Sequence, residues 1–174
     1  MSTLLPDAEQ LLQALTDKMR PEVGPETGLI GIHTGGVWLA ERLHDALGLK
    51  TPLGTLDISF YRDDYEKIGL HRDVKTSDIP FDVDGRPLIL VDDVLFTGRT
   101  IRAAMNTLFD YGRPSSIRLA ALVDRGGREL PIAAQFIGAI VEVPADQGVE
   151  LKRDERGRLT LGLYDQNQGT EDVA

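Results

Sequence analysis

The sequence predicts an α/β protein, a mostly parallel twisted sheet flanked by helices. Two observations carry this. Apolar runs alternate along the chain with segments of helical periodicity. Runs such as "GLIGIH" (28–33) and "PLILV" (87–91) are apolar nearly throughout, the mark of strands covered on both faces.

The elements follow in order. A first helix starts at Pro6, with Ala8, Leu11, Leu12, Leu15 and Met19 at helical spacing. Residues 28–33 form a buried strand, 34–36 a tight turn, and 37–47 a helix that Gly48 stops. A longer strand is expected over 53–61, with Leu56, Ile58 and Phe60 on one face. Residues 62–85 are polar and rich in turn formers, a connection long enough to be a functional flap. A strand follows over 86–93, then a helix over 99–112 that turns Ile101, Ala104, Met105 and Leu108 inward. Further strands are expected at 116–124 and 135–143. Residues 149–164 alternate like a hairpin turning at Glu155-Arg156-Gly157, and the tail 165–174 is expected to fray. The 174 residues suffice for one domain with its own core.

Composition excludes several chemistries. Without cysteine there is neither a disulfide framework nor a thiolate site. The N-terminal stretch has no basic segment followed by an apolar one, and no apolar run is long enough to span a bilayer. A cytoplasmic protein without membrane contact is therefore expected. A formal net charge of −9 argues against broad attraction to nucleic acid or anionic membrane. It leaves room for a local anion site built from backbone N–H groups.

Such a site is suggested by "VDDVLFTGRT" (91–100). Leu88 to Val91 read as buried strand, and Asp92 and Asp93 mark its exit from the sheet. Val94 to Gly98 read as a loop, and Thr100 as the start of a helix. Ionised carboxylates are costly to bury without partners. Backbone N–H groups at 95–100, with the Thr97 and Thr100 hydroxyls, would cradle a phosphate at a helix N-terminus. Two acceptor-only acids beside that cradle suit vicinal hydroxyls, so a ribose 5-phosphate fits both halves. The same pattern also describes an acidic turn with a threonine capping a helix. Neither a G-x-x-x-x-G-K-[ST] loop nor a G-x-G-x-x-G fingerprint is present. In parallel sheets ligands bind beyond the carboxyl ends of the strands, where both "HTGG" (33–36) and "DDVLFTGRT" lie.

The stretch "LILVDDVLFTGRT" resembles the phosphoribosyl-pyrophosphate (PRPP) motif of type I phosphoribosyltransferases. Arg99, "LDISFYRDD" (56–64) and "GRPSSIRLAALVDRGGRELPI" (112–132) narrow the resemblance to the PyrR family, pyrimidine operon regulators that are also uracil phosphoribosyltransferases. The resemblance implies transfer of ribosyl phosphate from PRPP to uracil, giving UMP and pyrophosphate, with Mg²⁺ held mainly by PRPP. It also implies a homodimer or larger assembly and a pyrimidine-gene leader RNA as a partner. By resemblance, Asp92 and Asp93 bind the ribose hydroxyls. Val94, Leu95, Phe96, Thr97, Gly98, Arg99 and Thr100 surround the 5-phosphate, and Thr34, Gly35 and Gly36 form the pyrophosphate loop. The flap carries Arg62, Lys67, His71, Arg72 and Lys75, of which Arg62 is the expected contact to pyrophosphate. Arg125 and Arg128 belong to a small hood and would meet uracil or phosphate.

The chain departs from the family's pattern at Gly35, where an arginine often stands, and at Gly127, often a histidine. Ala133 and Ala139 stand where basic residues are frequent, in a region the family associates with RNA. The remaining cationic candidates for RNA are Arg113, Arg118, Lys152, Arg153, Arg156 and Arg158. Two alternatives stay open: a regulator that binds PRPP or UMP with little catalysis, and a phosphoribosyltransferase for another base.

Overall fold

The computed structural model describes residues 4–58 and 77–167. Helix α1 (Ala8–Met19) begins where the Asp7 carboxylate accepts from the Gln10 N–H, 3.1 Å away, an N-cap that satisfies an otherwise orphaned donor. Its buried face carries the Ala8, Leu11, Leu12, Leu15 and Met19 stripe that the periodicity predicts. The remaining elements are β1 (Gly28–Ile32), α2 (Gly35–Leu47), β2 (Gly54–Leu56), β3 (Pro87–Leu95) and α3 (Arg99–Phe109). After them come β4 (Ser116–Asp124), β5 (Phe136–Ile140), β6 (Gln147–Arg153) and β7 (Leu159–Asp165).

Strands β2-β1-β3-β4-β5 form one five-stranded sheet, parallel throughout, and β6-β7 form a separate antiparallel hairpin. Two apolar clusters sandwich the sheet. One joins α1, α2 and the hairpin residues Leu151 and Leu159 to Ile89, Val91 and Leu122. The other joins Ile101, Ala104 and Leu108 of α3 to Leu88, Leu90 and Ala121. Successive side chains of β3 thus feed opposite clusters, as the pleat requires, which is why the strand reads as an unbroken apolar run.

Several boundaries differ from the sequence expectation. Strand β2 stops at Leu56, because its neighbour β1 ends at Ile32 and offers no further ladder. Ile58 is nevertheless fully buried, and residues 59–61 lie outside the described residues. Strand β3 runs on to Leu95, since β4 continues beside it and pairs Val94 with Val123 and Leu95 with Asp124. The two acids therefore sit inside the strand, and the loop behind them shortens to residues 96–98. Helix α2 starts at Gly35, so the expected turn glycines form its first turn. Helix α3 ends at Phe109, where Asp110 and Tyr111 fold into a turn. The end of the expected flap is anchored: Asp78 bridges Thr55, and Val83 is buried.

A cleft at the carboxyl edge of the sheet

The carboxyl ends of β1 and β3 open on one cleft of about 870 Å³. Thr34 and Gly35 reach it from the β1–α2 junction, and Asp92, Asp93 and Val94 from the end of β3. Thr97, Arg99 and Thr100 reach it from the start of α3. The two motifs that the sequence places at strand ends are thus brought together.

The carboxylates are held by their own backbone. Asp92, only 5% exposed, accepts from the Asp93 N–H at 2.9 Å, and Asp93 accepts from the Val94 N–H at 2.9 Å. These bonds orient both acids before any ligand arrives. Gly35 lies directly against Asp93, and a Cβ there would overlap the carboxylate. Gly36 is pressed as closely on the Val91 carbonyl. The peptide joining His33 to Thr34 is cis.

On the α3 side, Gly98 adopts φ 94°, a conformation that favours glycine, and opens the first turn of α3. The Thr97 hydroxyl accepts from the Arg99 N–H at 3.2 Å. The N-terminus of α3 offers backbone N–H groups and a positive dipole end, the chemistry of an anion site. Leu95 and Phe96 frame this loop differently. Leu95 is buried as support, whereas Phe96 is 38% exposed on the cleft.

The segment "DRGGRELPI" wraps this loop. The Thr97 carbonyl accepts from the Glu129 and Leu130 N–H groups at 2.9 and 3.2 Å, and the Leu95 carbonyl accepts from Arg125 N–H at 3.1 Å. Arg128 donates to the Phe96 carbonyl (2.7 Å) and the Ile132 carbonyl (2.9 Å) and pairs with Asp124. Three of its five N–H donors hold the loop and the strand end, so it acts as a clamp, and it is not among the residues that line the cleft. Arg125 does line it, with its guanidinium 4.0 Å from the centre of the Phe96 ring. Gly127, at φ 83°, leaves room for that ring, since a Cβ there would come within 2.5 Å of it. A histidine at this position would be strained and would collide with Phe96.

One wall is not visible in any motif. Val149, Glu150 and Leu151 of β6, with Tyr164 and Gln166, also line the cleft, and Trp38 of α2 joins them. Sequence reasoning offers the hairpin's cations to RNA and gives the hairpin no place in the cleft. The missed signal is the alternation of residues 149–164, whose apolar half (Val149, Leu151, Leu159) docks the hairpin beside β3. The hairpin's cations are largely paired: Lys152 with Glu150 (3.3 Å), Arg158 with Asp7 (3.4 Å) and Arg153 with Glu41 (4.0 Å). Arg118 pairs with Glu22 at 3.5 Å. Arg62 and the other flap cations lie outside the described residues. No group of three metal-ligating side chains occurs among the described residues, and none of their helices is long and apolar enough to cross a membrane.

Residues 6–148 match the family model of the phosphoribosyl transferase domain. The chain is 50% identical over 160 residues to the bifunctional protein PyrR of Pseudomonas paraeruginosa, covering 89% of each chain. It is 51% identical over 157 residues to the bifunctional protein PyrR of Nitrosococcus oceani, again covering 89% of each. Among solved structures, a hypoxanthine-guanine phosphoribosyltransferase from Bacillus anthracis superposes with a TM-score of 0.63 at 21% identity, over 81% of this chain and 84% of that one. A hypoxanthine phosphoribosyltransferase from Trypanosoma cruzi gives 0.63 at 20% identity, over 81% and 82%. At such identities the likeness is one of fold.

Proposed function

The chain belongs to the phosphoribosyl transferase family and, within it, to the PyrR proteins; from that premise we propose that it makes UMP from uracil and PRPP. Uracil N1 joins C1 of the ribose as the bond from C1 to pyrophosphate breaks. The observation that carries this reading is the meeting of the Asp92-Asp93 pair, the α3 loop and the Thr34-Gly35 loop in one cleft. Asp92 and Asp93 take the two ribose hydroxyls, held ready by their backbone bonds. Residues 94–100 surround the 5-phosphate, with Thr97, Thr100 and the first N–H groups of α3 as donors. Gly35 and Gly36 let pyrophosphate approach the start of α2, and Arg62 supplies a cation there.

Charge builds on pyrophosphate as it leaves, so fixed donors and positioning account for most of the rate. The cleft offers hard oxygen donors in Asp92 and Asp93 but no three-ligand cage among the described residues, which suits Mg²⁺ held mainly by substrate oxygens and water. When bound, Mg²⁺ neutralises charge on the pyrophosphate. Arg125, exposed to the cleft beside Phe96, is the hood cation that meets uracil, while Arg128 keeps the hood in place.

The regulatory half of the reading is control of pyrimidine gene expression through a leader RNA, in response to UMP or PRPP. On the hairpin, RNA would have to displace Glu41, Glu150 and Asp7 from their cations. Gly35 favours a second reading, a PRPP- or UMP-binding regulator with little turnover, because no side chain can supply charge at that position. Measuring UMP formation with Mg²⁺ and PRPP binding on one sample separates the two. Neither binding nor turnover with uracil or another base would overturn both.

A further inference from the structure

The Glu9 carboxylate is where three elements meet. It belongs to the first turn of α1, takes Arg42 of α2 at 2.6 and 3.3 Å, and accepts the Leu159 N–H of β7 at 2.9 Å. Beside it Arg158 reaches Asp7 at 3.4 Å. Helix α2 begins at the Thr34-Gly35 loop, and that loop and the hairpin containing β7 line the same cleft. The hairpin is an independent two-stranded sheet, so its attitude depends on what fastens it to the rest of the chain. Buried leucines and the contacts of Arg153 with Trp38 and Glu41 also hold it, and the hydrogen bonds to the Glu9 carboxylate add a defined direction.

We infer that Glu9 is a positioning residue, which fixes the C-terminal hairpin against α2 and thereby sets the width of the substrate cleft. The inference rests on the phosphoribosyltransfer reading for its kinetic consequence only. Loss of Glu9 would let the wall formed by Val149, Glu150 and Tyr164 drift from the Thr34-Gly35 loop. Substrate would then bind less tightly, while the Asp92-Asp93 pair and the α3 loop, which Glu9 does not touch, keep their geometry.

The test compares Glu9→Ala, which removes every bond, with Glu9→Gln, whose amide oxygen still accepts from Leu159. Glu9→Ala is expected to raise KM for PRPP roughly fivefold, the scale of a lost charge-assisted hydrogen bond, and to leave kcat within about twofold. Glu9→Gln is expected to restore most of that loss. Hydrogen exchange should quicken at 147–153 and 159–165 in Glu9→Ala and stay unchanged in β1, β3 and β4. An unchanged KM, a Gln variant no better than Ala, or equal loss of protection across the main sheet would overturn the inference. If the parent makes no UMP, the catalytic reading fails, and the exchange pattern still decides the role of Glu9.

Discussion

Gly35 and the Asp93 carboxylate are in van der Waals contact across the cleft floor, so close that no side chain fits at residue 35. An arginine at residue 35 could not be accommodated without moving Asp93. We predict that Gly35→Ala weakens PRPP binding about tenfold, because overpacking of this kind costs on the order of 1–3 kcal/mol and displaces a ligand group. Gly35→Arg should lower turnover and not raise it. Calorimetric titration with PRPP and initial rates on both variants check this, and faster turnover in Gly35→Arg would contradict it.

Asp93 and Asp92 differ in burial, and their variants should differ accordingly. Asp93, half-buried, faces the cleft and Gly35, so Asp93→Asn should cost about tenfold in PRPP affinity with little change in melting temperature. Asp92 is almost wholly buried and its carboxylate caps the Asp93 N–H, so Asp92→Ala should lower stability as well as affinity. Calorimetry paired with thermal denaturation separates the two effects. Equal PRPP affinity in Asp93→Asn and the parent would remove the ribose role.

Much of this was legible in the sequence because its signals are local. Apolar runs marked the strands, and the acid pair with Thr-Gly-Arg-Thr marked residues that line the cleft. Where a second strand decides the outcome, local signals fail. Asp92 and Asp93 read as a strand exit, yet Val94 and Leu95 stay in the sheet because β4 extends alongside them. Arg128 read as a ligand contact like Arg125, since both follow one strand end. Only the fold shows that one points at carbonyls and the other lines the cleft. The hairpin wall was invisible for the same reason: Tyr164 reaches the cleft by tertiary docking, and no short motif encodes that.

Arg125 and Arg128 should therefore separate cleanly when each is replaced by methionine. Arg128→Met leaves Asp124 with only its Gly126 N–H and the Phe96 carbonyl without the Arg128 donor, which should cost roughly 2–3 kcal/mol of stability. Arg125→Met should cost less than about 1 kcal/mol, the scale of a cation–π contact, and raise KM for uracil. Chemical denaturation of both variants, alongside KM for each substrate, provides the comparison. A larger stability loss in Arg125→Met than in Arg128→Met would reverse the assignment.

Glu9 also gives stability a specific dependence on pH. The Arg42 hydrogen bond is the main cause that lowers its pKa below the ordinary 4.5; partial burial opposes it, and the Leu159 N–H and the charges of Arg42 and Arg158 add to the lowering. A carboxyl group whose folded pKa is depressed contributes its full stability above the unfolded value and loses it as pH falls through the folded one. The stability difference between the parent and Glu9→Gln should thus be constant above pH 4.5 and shrink progressively below it. With Arg42 nearly half exposed, the plateau should be about 1 kcal/mol and should fall in high salt. Urea denaturation of both proteins from neutral to acidic pH measures it directly. A difference that grows on acidification would mean that Glu9 is stabilised in its neutral form, contrary to its bonds with Arg42 and a backbone N–H and to the nearby charge of Arg158.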